Sequence, residues 1–167
     1  LAVDEKRVEK IKYVHLKTAY LINKDIVKGN MAHFYLSFIK HATAAEKELA
    51  RRQTIAFYGN LLSLEEIHLI VSAIDQFIRS KADIYSASAW PIVFTEQVLF
   101  HPSGKEVRLD RLMVNPNHKN IKIIDYKTGS IWEEDQIDIY IETVRALPVY
   151  QQNDYRISGE YVHVPMG

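Results

Sequence analysis

The spacing of apolar residues changes character once along this chain, near residue 90, and that change limits the folds open to it. Before it, apolar side chains recur at helical intervals. After it, β-branched and aromatic residues alternate between turn signals. The clearest helix begins at Ser63, which stands three residues before Glu66 in a capping-box arrangement that satisfies free amides at a helix start. Leu64, Ile67, Val71, Ile74 and Ile78 then build one apolar stripe, widened by Ile70 and Phe77. Upstream, the pattern predicts a helix over 4–27, a second from Asn30 to His41 after Gly29, and a third over 44–58 stopped by Gly59-Asn60.

Beyond Pro91 the period is two. Ile92, Phe94, Glu96, Val98 and Phe100 share one face of a strand, and His101-Pro102-Ser103-Gly104 forms a turn. A second strand covers Lys105 to Val114, a polar loop covers 115–119, and a third strand runs from Ile121 to Lys127. Glu133 to Leu147 returns to helical spacing, with acidic residues in its first turn and Pro148 at its end; Ile157 to Val164 is a last strand. A chain of 167 residues holds one well-buried domain. The expected architecture is a mixed α/β (α+β) domain with a helical part over 1–82 and a sheet over 90–167.

The hairpin carries the charged residues of interest. Side chains two apart on a strand point to the same face, so Asp125 and Lys127 project together. Pairing Val114 with Ile121 and Leu112 with Ile123 buries both apolar pairs, and it sets Asp110 opposite Asp125. Two carboxylates so placed repel and titrate abnormally unless a cation lies between them. On spacing alone, an Asp–Asp–Lys cluster that only ties a sheet end together is the alternative. Glu96 weighs against it, since a carboxylate amid Ile92, Phe94, Val98 and Phe100 is costly to bury without a metal or a hydrogen-bonding partner. Three strands then each offer a hard oxygen ligand of the kind Mg²⁺ takes.

The run Val107-Arg108-Leu109-Asp110-Arg111-Leu112, followed by Ile123-Ile124-Asp125-Tyr126-Lys127-Thr128-Gly129, resembles the motif pair of RecB-like exonucleases in the PD-(D/E)XK nuclease superfamily. Gln136 and Tyr140, one helical turn apart, match a further family motif, and Gly29 four residues before His33 matches another. The resemblance spans roughly Gly29 to Val164. It departs from many relatives at Val107 and Arg108, where they carry a glycine.

That resemblance implies a restriction-endonuclease-like core and Mg²⁺-dependent hydrolysis of DNA phosphodiesters, with Mn²⁺ able to substitute. It implies metal ligation by His33, Asp110, Asp125 and the backbone carbonyl of Tyr126, and a Lys127 that activates water and balances phosphate charge. Glu96 either serves a second metal or its water, or pairs with Lys127. His33 either completes the metal shell or is an ordinary helical histidine. Gln136 and Tyr140 position the lysine or a DNA phosphate. The Tyr126 ring packs on the opposite face, Arg111 points away from Asp110 into a stabilising salt bridge, and His68 and His101 have no evident partners.

The 21 basic and 21 acidic residues balance, which is awkward for a protein that grips DNA unaided. With the resemblance and a chain that opens on Leu1 rather than methionine, this points to a domain of a larger helicase–nuclease in double-strand break repair, cytoplasmic and nucleoid-associated. A stand-alone exonuclease or a CRISPR-type adaptation nuclease is a second reading, and a catalytically inactive fold used for DNA binding or scaffolding a third. Zero cysteines exclude a cysteine-ligated iron–sulfur cluster, a thiolate zinc site and a cysteine nucleophile in this chain. No apolar run approaches membrane-spanning length.

Overall fold

A computed structural model describes residues 24–129 and 136–167. Helix α1 covers 24–37, followed by α2 (Ala44–Tyr58), α3 (Leu64–Ser80) and the short α4 (Ala82–Tyr85). Strands β1 (Ile92–Phe100), β2 (Glu106–Asn115) and β3 (Asn120–Lys127) come next, then α5 (Gln136–Arg145), α6 (Pro148–Gln151) and β4 (Arg156–His163). The sheet order is β1-β2-β3-β4, antiparallel until β4 adds parallel to β3. The fold class is therefore the mixed α/β one expected. The helix expected over 4–27 lies almost wholly outside the described residues, as do the first residues of the one expected from Glu133.

Local chemistry explains the helix starts. Ser63 and Glu66 cap α3 reciprocally, and Thr43 with Glu46 does the same for α2. The expected break at Gly29 does not occur, because α1 runs through it to residue 37. Glycine costs a helix about 1 kcal/mol relative to alanine but does not end one without a left-handed cap. Pro148, expected only to stop a helix, also opens α6, where its missing N–H is no loss.

The sheet separates two cores. Helices α1 and α3 bury Met31, Tyr35, Leu36, Ile67, Ile74 and Phe77 against Met113, Ile124 and Tyr126. On the other face, Val144 of α5 packs on Leu112, Val114, Ile121 and Ile123. Burying each such aliphatic side chain contributes about 1.5–3 kcal/mol. Alternation along β3 is regular, Ile121 and Ile123 facing α5 while Ile124 and Tyr126 face the helical layer. Helix α5 crosses β4 so closely at Gly159 that a Cβ there would lie 2.6 Å from the Ile137 side chain.

Two expectations fail here. Ile92, Phe94, Val98 and Phe100 do not line one buried face: all four are exposed, and since Val93 belongs to the helical-side core while Leu99 belongs to the α5-side core, the first two and the last two point to opposite faces of this edge strand. Arg111 is fully buried without a carboxylate partner among the described residues. Its guanidinium instead donates to the carbonyls of Ile39, Lys40 and Ile84 and lies over the Tyr85 ring at 4.4 Å. Those carbonyls sit just past α1 and within α4, where intrahelical donors run out.

Candidate metal centre

The expected hairpin register is the observed one: Val114 pairs with Ile121 and Leu112 with Ile123. The ladder stops at Arg111–Ile124. From there β2 keeps company with β1, while β3 stays paired with β4 as far as Lys127–His163. Asp110, Asp125 and Lys127 occupy the resulting fork. Asp110 and Asp125 thus fall opposite each other without a ladder bond between them. Asp110 Oδ2 instead accepts the backbone N–H of Tyr126 at 2.8 Å, which ties the two strands where they part.

Glu96 reaches the same place through its backbone. It lies level with Asp110, in the one gap of the β1–β2 ladder, with φ +48. A non-glycine residue held in the left-handed region marks a strained position, of the kind that collects at functional sites. Alternation changes phase there too. Val93 and Met113 belong to the helical-side core, whereas Leu99, Val107 and Leu109 belong to the α5-side core. The kink turns Glu96 toward α1, where His33 stands one turn after Gly29.

Ligand atoms of His33, Glu96 and Asp110 all lie within 4.8 Å of one another, and His33 Nδ1 is 3.5 Å from Asp110 Oδ2. Of the alternatives open for Glu96, pairing with Lys127 is not realised. Among the described residues its ion pair is with Arg108, at 3.8 Å. Lys127 Nζ lies 3.0 Å from Asp125 Oδ2. Among the described residues that ion pair is the contact this buried oxygen makes, with no well-aligned hydrogen bond beside it. Gln136 Oε1 accepts from Lys127 Nζ at 3.5 Å and from the Tyr140 hydroxyl at 3.4 Å, so the pair on α5 does stand at the lysine.

Tyr161 is part of this arrangement and carried no signal in the sequence. Its ring lies under Lys127 Nζ at 5.3 Å, and its hydroxyl accepts the N–H groups of Gln136 and Ile137 at the start of α5. Only the parallel pairing of Asp125 with Tyr161 brings it there. The Tyr126 ring packs in the helical-side core, its hydroxyl 2.7 Å from that of Tyr85, but it is not clear of the site: it meets the His33 ring edge to face with centroids 6.3 Å apart. His101, expected to be partnerless, bridges Ser103 and Glu142 far from the fork.

The charges are strongly interdependent. Burial, the Asp110 charge and hydrogen bonding to Asp110 push Asp125 up to about 6, against the pull of Lys127. Asp110 moves the other way: burial disfavours its charge, but hydrogen bonding and the charge of His33 hold it below the usual carboxylate range. Burial and then Asp110 raise Glu96. His33 is raised because its contact with Asp110, with the Glu96 and Asp125 charges, outweighs desolvation. Tyr140 is pushed up to about 12 by burial and by Asp125 and Asp110.

A divalent cation suits this donor set. The Asp125 carboxylate, two more carboxylates and one imidazole are hard or borderline ligands, and negative charge that Lys127 only partly offsets in a half-buried fork is what a cation relieves. Among the residues expected to ligate, His33 and Asp110 form the cluster together with Glu96, and Asp125 adjoins it beside Lys127. The chain matches no protein-family model and no curated protein. No helix among the described residues is long and apolar enough to cross a membrane.

Proposed function

We propose that this chain is a Mg²⁺-dependent deoxyribonuclease domain with a PD-(D/E)XK core, an exonuclease of the RecB-like kind that Mn²⁺ can also serve. The observation that carries the reading is the convergence of His33, Glu96 and Asp110 within 4.8 Å of one another beside the Asp125–Lys127 pair. Carboxylates from three neighbouring strands, with a lysine at their edge, suit hydrolysis of a phosphodiester better than any purely structural use. A bound divalent ion would supply Lewis acidity toward the phosphate and lower the pKa of a water molecule.

The rest of the chemistry belongs to the chain. Asp110 is held ionised by His33 and the Tyr126 amide, so it is ready to bind a cation at neutral pH. Lys127 stands at the mouth of the fork, fixed by Asp125, Gln136 and the Tyr161 ring. From there it orients the attacking water and neutralises charge developing on the phosphate. Balanced net charge supports a domain to which an attached or associated helicase feeds DNA ends during break repair.

The test is digestion of linear DNA with Mg²⁺ or Mn²⁺. Asp110→Ala and Lys127→Ala should each abolish it. If both variants digest at the parent rate, the assignment is wrong; if the parent binds Mn²⁺ but digests nothing, an inactive DNA-binding module becomes the better reading.

A further inference from the structure

We infer that the groove beside the metal centre is a nucleobase subsite, in which the base next to the scissile phosphate stacks on Phe34, backed by the buried Tyr58, while Arg108 takes a neighbouring phosphate. This rests on the nuclease reading above and adds to it what part of the substrate, apart from phosphate, the site holds.

The groove has a volume of about 630 Å³ and opens directly from the cluster, since His33 and Glu96 line both. Phe34 and Tyr58 form its apolar end, and Val98 and Arg108 part of its far wall. That size matches pockets that take one drug-sized organic group, not a duplex. The aromatic end is organised rather than incidental. Phe34 and Tyr58 meet edge to face with centroids 5.5 Å apart, and Phe57 stacks on Phe34 at 5.1 Å, 24° from parallel. Phe57 is 68% exposed, so the aromatic surface continues outward past the groove. Such rings accept any base, because every base has a π-face.

Charge points to the same occupant. The Arg108 side chain is 63% exposed, and its ion pair with Glu96 is a loose contact at 3.8 Å. A guanidinium on the groove wall, so close to the cluster, faces the next phosphate of a strand whose scissile phosphate lies at Asp110. Arg108 and Phe34 thus bracket the space in which one nucleoside sits. An apolar peptide would leave the guanidinium unused, and a free phosphate would leave the aromatic end empty.

Helix α1 links the two halves of the site. His33 and Phe34 are consecutive, so the residue in the cluster and the residue at the aromatic end are set by one rigid helix rather than by a loop. Any strand held at the cluster is therefore in register with the stacking surface.

The experiment compares two 20-residue substrates with identical phosphates, oligo-dT and a polymer of tetrahydrofuran abasic sites, each with Mn²⁺. The parent chain should hydrolyse the abasic polymer with kcat/KM lower by about tenfold, mostly through KM. Phe34→Leu should show a similar loss on oligo-dT and no further loss on the abasic polymer. Arg108→Ala, on an exposed side chain that folding does not require, should slow both substrates equally. Equal rates for the parent on the two substrates would overturn the subsite and leave the nuclease reading intact. A Phe34→Leu loss of the same size on both would do so too. No hydrolysis of either by the parent would remove both proposals together.

Discussion

Gly29 of α1 and Thr128, just past the end of β3, meet so closely that a Cβ on Gly29 would lie 2.9 Å from Thr128 Oγ1. His33 follows Gly29 by one helical turn, so this contact sets how deeply α1 seats its histidine against the fork. Gly29→Ala should gain about 1 kcal/mol of helix propensity and spend it on pushing α1 or Thr128 aside. The expected outcome is a nearly unchanged melting temperature with Mn²⁺ affinity reduced roughly tenfold, measured by calorimetric titration. Thr128→Ala in the same chain should restore affinity, because the remaining neighbour, Thr128 Cβ, is 3.9 Å away. Full affinity in the single variant would show that α1 has slack at this point.

Asp125 gives the site a pH signature. Its carboxyl is pushed up to about 6 by burial and by Asp110, so the folded chain holds this proton more tightly than the unfolded one does. Without metal, its contribution to stability is lost as pH rises from about 4 through 6, where the charged form becomes a penalty. Asp125→Asn in EDTA should therefore raise stability at pH 7.5, on the order of 1–2 kcal/mol after allowance for screening, and the gain should shrink below pH 6. Mn²⁺ affinity of the parent should fall as pH drops through 6, because ligation needs the carboxylate. Thermal melts from pH 4 to 8 check the sign; a gain independent of pH would mean that Asp125 is ionised throughout.

Tyr161 separates two roles by substitution. Phenylalanine keeps the ring under Lys127 but removes the acceptor for the Gln136 and Ile137 amides. Tyr161→Phe should cost about 1 kcal/mol and raise amide exchange selectively at Gln136 and Ile137. Tyr161→Leu should add a loss of kcat, as Lys127 loses the ring beside it. Unchanged exchange at those two amides in Tyr161→Phe would exclude the capping role.

Arg111 should be the most costly residue to replace outside the metal centre. It satisfies carbonyls of Ile39, Lys40 and Ile84 from a fully buried position, linking β2 to the ends of α1 and α4. Arg111→Met keeps most of the volume but orphans those acceptors. We expect a loss of about 3 kcal/mol or more in denaturant unfolding. A loss under about 1 kcal/mol would mean that water reaches the carbonyls.

The sequence by itself determined the elements and much of the site. Capping at Ser63, the stripe through Ile67, Ile74 and Ile78, and the hairpin register all follow from local rules: a side chain either satisfies a neighbouring amide or faces the core according to its spacing. Asp125 beside Lys127, and Gln136 beside Tyr140, were legible for the same reason, since their periodicities place each pair on one face. Tertiary structure decided what depends on partners distant in the chain. It left Ile92, Phe94, Val98 and Phe100 exposed on two faces of β1 instead of buried on one, and it gave Arg111 carbonyls in place of a carboxylate. It set Tyr161 under Lys127 through a parallel pairing with no local signature. Most of all, it turned Glu96 toward His33 and Asp110 by a left-handed kink in β1. A period-two pattern assumes regular alternation, and a single strained residue reverses which face the following side chains occupy.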